Sequence, residues 1–206
     1  MKNNADIKVM LKEAGILFAI TLLAGILLGF IYELTKEPIR VQQEKAMQEA
    51  CLSVFAAASD FQTIEYKPNA ALEAELAECG VRPGVVYEAK GADGGLLGYV
   101  IETTSTEGYG GNISIYTGIT MEGTVNDIAL MEISETAGLG MQAGKVLVPQ
   151  FAGKQVESFS YTKTGSSAPE EIDAISGATI TTKAVTNAVN SALKIQRDLT
   201  GGGSHE

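Results

Sequence analysis

Asp173-Ala174-Ile175-Ser176-Gly177-Ala178-Thr179-Ile180-Thr181-Thr182 is the stretch on which the reading of this chain turns. A possible strand end leads into it. Beyond it Val185, Ala188, Val189, Ala192 and Leu193 or Ile195 recur at helical spacing, which predicts an amphipathic helix starting near Thr181 or Thr182. Lys194, Arg197 and Asp198 are expected at its solvated end. A junction of this kind can present one hydroxyl to a large ligand while backbone amides and the helix start hold an anion. On the residues alone it permits phosphate binding, and Thr179 reads equally well as an ordinary helix-entry residue.

Working back from that junction, strand signals fill the middle of the chain. Residues 85–90 and 96–104 flank Gly91-Ala92-Asp93-Gly94-Gly95, a hairpin loop. Residues 112–120 set Ile113, Ile115 and Thr117 against Ser114 and Tyr116, Met121-Glu122-Gly123 turns the chain, and residues 125–134 form the next strand. Residues 159–163 are a further strand candidate, and residues 145–151 a short helix limited by Pro149. Consecutive strands with short glycine turns predict an antiparallel sheet and an α+β fold. Ahead of the sheet, residues 68–78 read as a short helix stopped by Cys79-Gly80. Residues 39–58 carry Met47, Cys51, Val54, Phe55 and Ala58 at helical spacing, with Pro38 placed where a new helix can start.

Residues 14–32, AGILFAITLLAGILLGFIY, hold no charge. At about 1.5 Å rise per residue the run is roughly 28 Å long, the thickness of a bilayer's hydrocarbon core. It is longer than the apolar core of a signal peptide and ends at Phe30-Ile31-Tyr32-Glu33, a poor cleavage site, so an uncleaved anchor is expected. Gly25 and Gly29 form a G-x-x-x-G, which is either ordinary glycine content or a packing face. Lys2, Lys8 and Lys12 before the span balance Lys36, Arg40 and Lys45 after it, so charge does not orient it. The expected organisation is an N-terminal segment at 1–13, a transmembrane helix at 14–32, a connecting amphipathic helix at 33–60, a globular domain at 61–199 and a flexible tail at 200–206.

Composition removes several classes of function. A net charge of -10 disfavours nucleic acid and anionic lipid surfaces. Two cysteines, Cys51 and Cys79, are too few for a four-cysteine cluster or a closed zinc site, although a disulfide between them stays open. The single histidine, His205, lies in the Gly-Ser tail, which leaves no catalytic triad and no histidine metal ligand in the folded part. Gly138, Gly140 and Gly144 have the wrong period for a dinucleotide fingerprint.

The run from Ser176 to Thr179 resembles the S/T-G-A-T flavinylation motif of the FMN-binding domain. That domain is found in the G subunit of Rnf ion-translocating ferredoxin:NAD oxidoreductases and in the C subunit of sodium-translocating NADH:quinone reductases. Two more loops are similar to the family in order and spacing: Glu107-Gly108-Tyr109-Gly110-Gly111 and Glu135-Thr136-Ala137-Gly138-Leu139-Gly140. The chain has Ala137 where the family commonly has proline. The glycines of both loops, read locally, are turn residues.

The resemblance implies one covalent FMN per chain, joined by a phosphoester to Thr179. Ser176, Gly177, Ala178, Thr181, Thr182 and Lys183 are the candidates to surround the phosphate, with Lys183 reading equally as a solvated lysine. Tyr109, Gly110, Glu135, Thr136, Gly138 and Leu139 are the candidates to meet the ring or ribityl chain. Asp173 is expected to be recognised by a separate flavin transferase, which draws FMN from FAD. The implied protein is a single-pass subunit of an Rnf-type complex in the cell membrane. Its N-terminus is cytoplasmic, its FMN domain lies on the periplasmic or extracellular face, and it relays electrons without completing a reaction alone. Its implied partners are the other subunits, the transferase and the lipid bilayer, with no nucleic acid and no metal. The alternatives are the quinone-reductase C subunit, a stand-alone anchored FMN protein and, in a different class, a non-catalytic binding module.

Overall fold

A computed structural model of the chain describes residues 4–201, with side chains from residue 9 onward. The expectation of a flexible tail thus falls mostly outside the described residues, as does that for the first three residues. The contacts divide the chain into two units at Met47/Gln48.

The first unit is helical and belongs to α1 (Asn4–Val54). It is the one helix among the described residues long and apolar enough to cross a membrane, and its side chains from residue 9 to 45 are exposed. Thr21 donates its hydroxyl to Leu17 O at 3.0 Å, so the polar atom within the apolar run is satisfied by its own helix. The helix runs through Pro38 where a fresh start was expected. Arg40 pairs with Glu37 at 2.9 Å and Glu44 at 2.8 Å just beyond that proline. The helical pattern, expected to reach about residue 58, stops at Val54; Phe55 N and Ala58 N then donate into turns.

In the second unit the chain continues through β1 (Asp60–Ile64), α2 (Ala70–Glu78), β2 (Val81–Lys90), β3 (Leu96–Ser105), β4 (Ile113–Thr120) and β5 (Thr124–Ile133). A 3-10 turn (Gly140–Gln142) and two short helices, α3 (Ala143–Val146) and α4 (Val148–Phe151), replace the single helix expected there. β6 (Lys154–Gln155), β7 (Ser160–Thr162), β8 (Glu171–Asp173) and α5 (Thr179–Thr200) follow. Strands β1 to β6 form one antiparallel sheet in sequence order, with short turns joining β2 to β3 and β4 to β5, α2 between β1 and β2, and the 3-10 turn, α3 and α4 between β5 and β6. The edge strands β1 and β6 carried no clear sequence signal, because their apolar pattern is weak.

Helix α5 lies on one face of this sheet. Its Val185, Ala188, Val189, Ala192 and Leu193 join Val86, Ile101, Ile113, Ile115, Ile119 and Ile128 in the main core, and α2 adds Leu72 and Leu76. Thr103 Oγ1 donates to Ala188 O at 3.2 Å across this interface. The other face is covered in part by the last turns of α1. Val54 and Cys51 are fully buried, Asn126 Nδ2 donates to Val54 O at 2.6 Å, and Tyr87 and Tyr116 meet edge to face with centroids 6.0 Å apart. This explains why Tyr116, read as a polar-side position of an alternating strand, is buried. Both faces of β4 are covered. Burial, with Glu102 adding to it, pushes the Cys51 thiol up to about 11. The disulfide left open by the sequence is not formed.

The pairing of β7 with β8 is parallel, a departure from the all-antiparallel expectation. Side chains fix this small layer in place. Asp173 N donates to Gln150 Oε1 at 2.7 Å and Gln150 Nε2 returns to Asp173 O at 3.2 Å. Asn190 of α5 brackets Phe159 in the same reciprocal way, at 2.7 and 2.8 Å. The end of α5 is tied down where a solvated end was expected. Lys194 pairs with Glu75 at 2.7 Å, Arg197 donates to Glu157 O at 2.7 Å, and Asp198 accepts from Tyr66 Oη at 2.8 Å.

Two stability predictions arise here. Thr117 Oγ1 is buried without a hydrogen-bond partner. Thr117→Val removes the orphan hydroxyl at equal shape, so the domain should gain about 1 kcal/mol, roughly 2–4 °C in a thermal melt. Burial also raises the phenols of Tyr66, Tyr87, Tyr99 and Tyr116 above their ordinary range, with Asp198, Glu88 and Glu102 reinforcing Tyr66, Tyr99 and Tyr116 respectively. The folded state therefore holds these protons where the unfolded chain releases them. Their contribution is complete below about pH 10 and is lost as pH rises above it. Melting temperature should fall steeply above about pH 10, and the part of the tyrosinate absorbance that comes from these four phenols should appear in step with unfolding.

Candidate functional site

The motif turn packs where three loops meet. Tyr109, Glu135, Thr136, Leu139, Gly140, Gly177, Ala178, Thr179, Ile180 and Thr181 line a cleft of about 460 Å³. Two backbone conditions shape it. Gly177 sits at φ 78°, where a side chain is strained, and Leu139 Cδ2 lies 3.2 Å from where its Cβ would be. A Cβ on Gly110 would run into Ser134 O, so only glycine lets the 108–111 loop close on the end of β5. Gly110 N donates to Glu135 Oε1 at 3.4 Å, linking that loop to the 135–140 loop. Leu139 N and Met141 N both donate to Thr136 O, which folds the latter loop back on itself.

Helix α5 supplies the polar end of the cleft. It starts at Thr179, two or three residues earlier than its apolar stripe predicts, with Ala178 as N-cap and no side chain capping it. Its first intrahelical bond is Thr182 N to Ala178 O at 3.0 Å. The amides of Thr179, Ile180 and Thr181 therefore have no carbonyl one turn back, and the positive end of a 22-residue helix opens on the cleft. The walls are apolar yet uncovered: Tyr109 is 70% exposed, Ile180 51% and Leu139 41%. None of the ten lining residues is lysine or arginine.

Sequence-predicted residues divide into three groups. Thr179, Gly177, Ala178, Thr181, Tyr109, Glu135, Thr136 and Leu139 come together on the cleft. Gly110 and Gly138 lie on its loops without lining it, and Ser176 is exposed outside it. Thr182, Lys183 and Asp173 are engaged elsewhere. Thr182 is fully buried, accepting from Ile175 N at 3.1 Å and donating to Ala178 O at 3.0 Å. Lys183 pairs with Glu107 at 2.9 Å, which holds its ammonium pKa above the ordinary range. The Asp173 carboxylate accepts from Ser166 N and Oγ. Gly140 and Ile180 also line the cleft; both lie in stretches quoted from the sequence but were not among the candidate contacts. An isoleucine off the buried stripe at the start of α5 was the signal for the latter.

The donor set fits a flavin mononucleotide. Exposed apolar walls suit a flat ring, and unpaired amides at a helix start suit a phosphate. A second groove of about 470 Å³ lies at the other end of α5, around Gln196 and Arg197, whose polar side chains are taken up by Thr120 O, Met121 O and Glu157 O.

Residues 108–194, from the Tyr109 loop into α5, match the FMN-binding domain family, and residues 1–57 match the RnfG N-terminal region. Fold, site and family match together define an FMN-binding domain behind a membrane-anchoring helix. The G subunit of the Na(+)-translocating ferredoxin:NAD(+) oxidoreductase complex of Acetobacterium woodii is 33% identical over 204 residues, spanning 96% of this chain and 97% of that one. The chain belongs to the RnfG family, the G subunits of these ion-translocating oxidoreductase complexes. The G subunit of the ion-translocating oxidoreductase complex of Methanosarcina acetivorans is 29% identical, over 92% of this chain and 95% of that one. Its counterpart in the proton-translocating ferredoxin:NAD(+) oxidoreductase complex of Clostridium ljungdahlii is 28% identical, over 93% and 97%. The crystal structure of NqrC from Shewanella oneidensis aligns with a TM-score of 0.49 and 19% identity, over 71% of this chain and 70% of that one.

Proposed function

We propose that this chain is the membrane-anchored flavoprotein subunit of an Rnf-type ferredoxin:NAD oxidoreductase complex, carrying one FMN esterified to Thr179. The observation that carries the reading is the partly buried Thr179 at the uncapped start of α5, lining a cleft with apolar walls. When bound, FMN supplies reversible one- and two-electron chemistry. Tyr109, Leu139 and Ile180 would cover the ring and exclude water, and the amides of Thr179, Ile180 and Thr181 would hold the phosphate. Glu135, tethered by Gly110, keeps two loops at a set distance around the ring.

The chain moves electrons within a larger assembly and completes no reaction alone. Its partners are the other subunits and a flavin transferase that recognises the Asp173 region. The family resemblance supports a cytoplasmic N-terminus and an FMN domain on the outer face. There a covalent tether prevents the loss of a cofactor that could not be recovered. RnfG relatives spanning nearly the whole chain favour this complex over the quinone-reductase counterpart. Chain purified from a host with the transferase should gain the mass of one FMN phosphoryl group and fluoresce under ultraviolet light after denaturation. A bare polypeptide mass from such a host would overturn the reading.

A further inference from the structure

We propose that Thr182 is a positioning residue for flavin attachment, because its buried hydroxyl clamps both ends of the turn that presents Thr179. This rests on Thr179 being the attachment site. Resemblance suggested Thr182 as a phosphate ligand, and the geometry removes that role. The side chain is fully buried, its one proton goes to Ala178 O at 3.0 Å, and it accepts from Ile175 N at 3.1 Å. Ala178 N closes the same turn onto Ile175 O at 3.0 Å, and Thr182 N donates to Ala178 O at 3.0 Å. Residues 175, 178 and 182 thus form a closed hydrogen-bonded set with Ser176 and Gly177 looped outside it. Thr179 is the next residue after the clamped carbonyl.

The consequence is geometric. Ala178 occupies the N-cap position without a side chain able to fix the turn, and Gly177 at φ 78° leaves the loop pliable. Thr182 replaces the missing cap from inside, one turn along the helix, so the amides of Thr179, Ile180 and Thr181 stay unoccupied. An ordinary Ser or Asp N-cap would take up one or more of those amides. In the transfer step Thr179 Oγ forms a bond to the FMN phosphorus of FAD as the pyrophosphate bond breaks. AMP departs with the bridging oxygen, and the hydroxyl proton passes to the transferase or solvent. Such a step is sensitive to displacement of the nucleophile by a fraction of an ångström to an ångström.

The test uses the full-length chain in detergent with FAD, magnesium and flavin transferase, following in-gel flavin fluorescence over time. Four proteins are compared: wild type, Thr182→Val, Thr182→Ser and Thr103→Val. Thr103 is the matched control, since its buried hydroxyl also donates to an α5 carbonyl, Ala188 O, away from the turn. Thr182→Val should be loaded about tenfold or more slowly at saturating FAD. Thr182→Ser should stay near the wild-type rate, and Thr103→Val should load normally despite a comparable drop in melting temperature. Amide exchange at Ile175 should quicken in Thr182→Val alone.

Equal loading of Thr182→Val and wild type, or equal slowing by Thr103→Val, would overturn the positioning role while leaving Thr179 as the site. If Thr182→Val does not fold, Thr182→Ser decides: a tenfold loss there overturns the role, and retention supports it. A dark wild-type chain overturns the attachment reading and this inference with it.

Discussion

Under the proposed esterification, Thr179→Val will leave the chain folded and abolish covalent flavin. Valine has the shape of threonine and is tolerated at a helix start, the Thr179 side chain is only half-buried, and it caps nothing. The expected change in stability is within about 0.5 kcal/mol, as for substitutions away from cores and caps. The expected chemical effect is complete, because the hydroxyl oxygen is the atom that the proposal esterifies. The denatured band should be dark and the intact mass that of the polypeptide. Neighbouring hydroxyls offer no substitute: Ser176 lies outside the cleft, Thr181 is 1% exposed, and the Thr182 hydroxyl is consumed by the turn. A fluorescent Thr179→Val band would place the attachment on another residue and remove the basis of the proposed function.

The largest effect on stability is expected at Phe151. It is fully buried in α4, and its ring meets Phe159 edge to face at 4.9 Å and 80°. Phe151→Ala removes a large core side chain and the aromatic pair, which costs about 3–5 kcal/mol. That is a large share of what a domain of this size has to lose. A fall of about 10 °C in melting temperature is expected. The loss bears on function because Phe159 leads into β7, β7 pairs with β8, and β8 delivers the chain to the motif turn. The folded fraction should still accept flavin, since no lining residue changes. A melting temperature within a degree or two of wild type would show that this layer does not carry the stability assigned to it.

Most of the sheet was legible because its signals are local. The 91–95 and 121–123 turns, the runs of β-branched residues and the Cys79-Gly80 stop each act within a few residues. In the layer of α4, β7 and β8 the elements were legible as a helix within 145–151, a strand within 159–163 and a strand end before the motif, but their assembly into a parallel pair was not. Two reciprocal amide clasps, Gln150 with Asp173 and Asn190 with Phe159, hold it across 23 and 31 residues, and a lone Gln or Asn carries no signature of its partner. Pro38 misled for a related reason. It marks a favoured start in isolation, whereas the run of helix formers on both sides carries α1 past it.

At the site, the three loops could be named from their residues, and the cleft does bring most of them together. The assignment of individual hydroxyls differs. Thr181 and Thr182 are adjacent and chemically alike, yet one lines the cleft and the other clamps the turn beneath it. Successive helical residues point about 100° apart, and their spacing alone left both as candidates.

By itself the sequence determined an apolar anchor, a meander of strands and a glycine- and hydroxyl-rich entry to a closing helix. Each follows from composition or from periodicity over a few residues. Only the tertiary structure decided which hydroxyls face the cleft, that Lys183 is committed to Glu107, and that α5 begins uncapped at Thr179. Those outcomes depend on how α5 seats on the sheet, and that seating is set by burial of its whole stripe against strands far back along the chain.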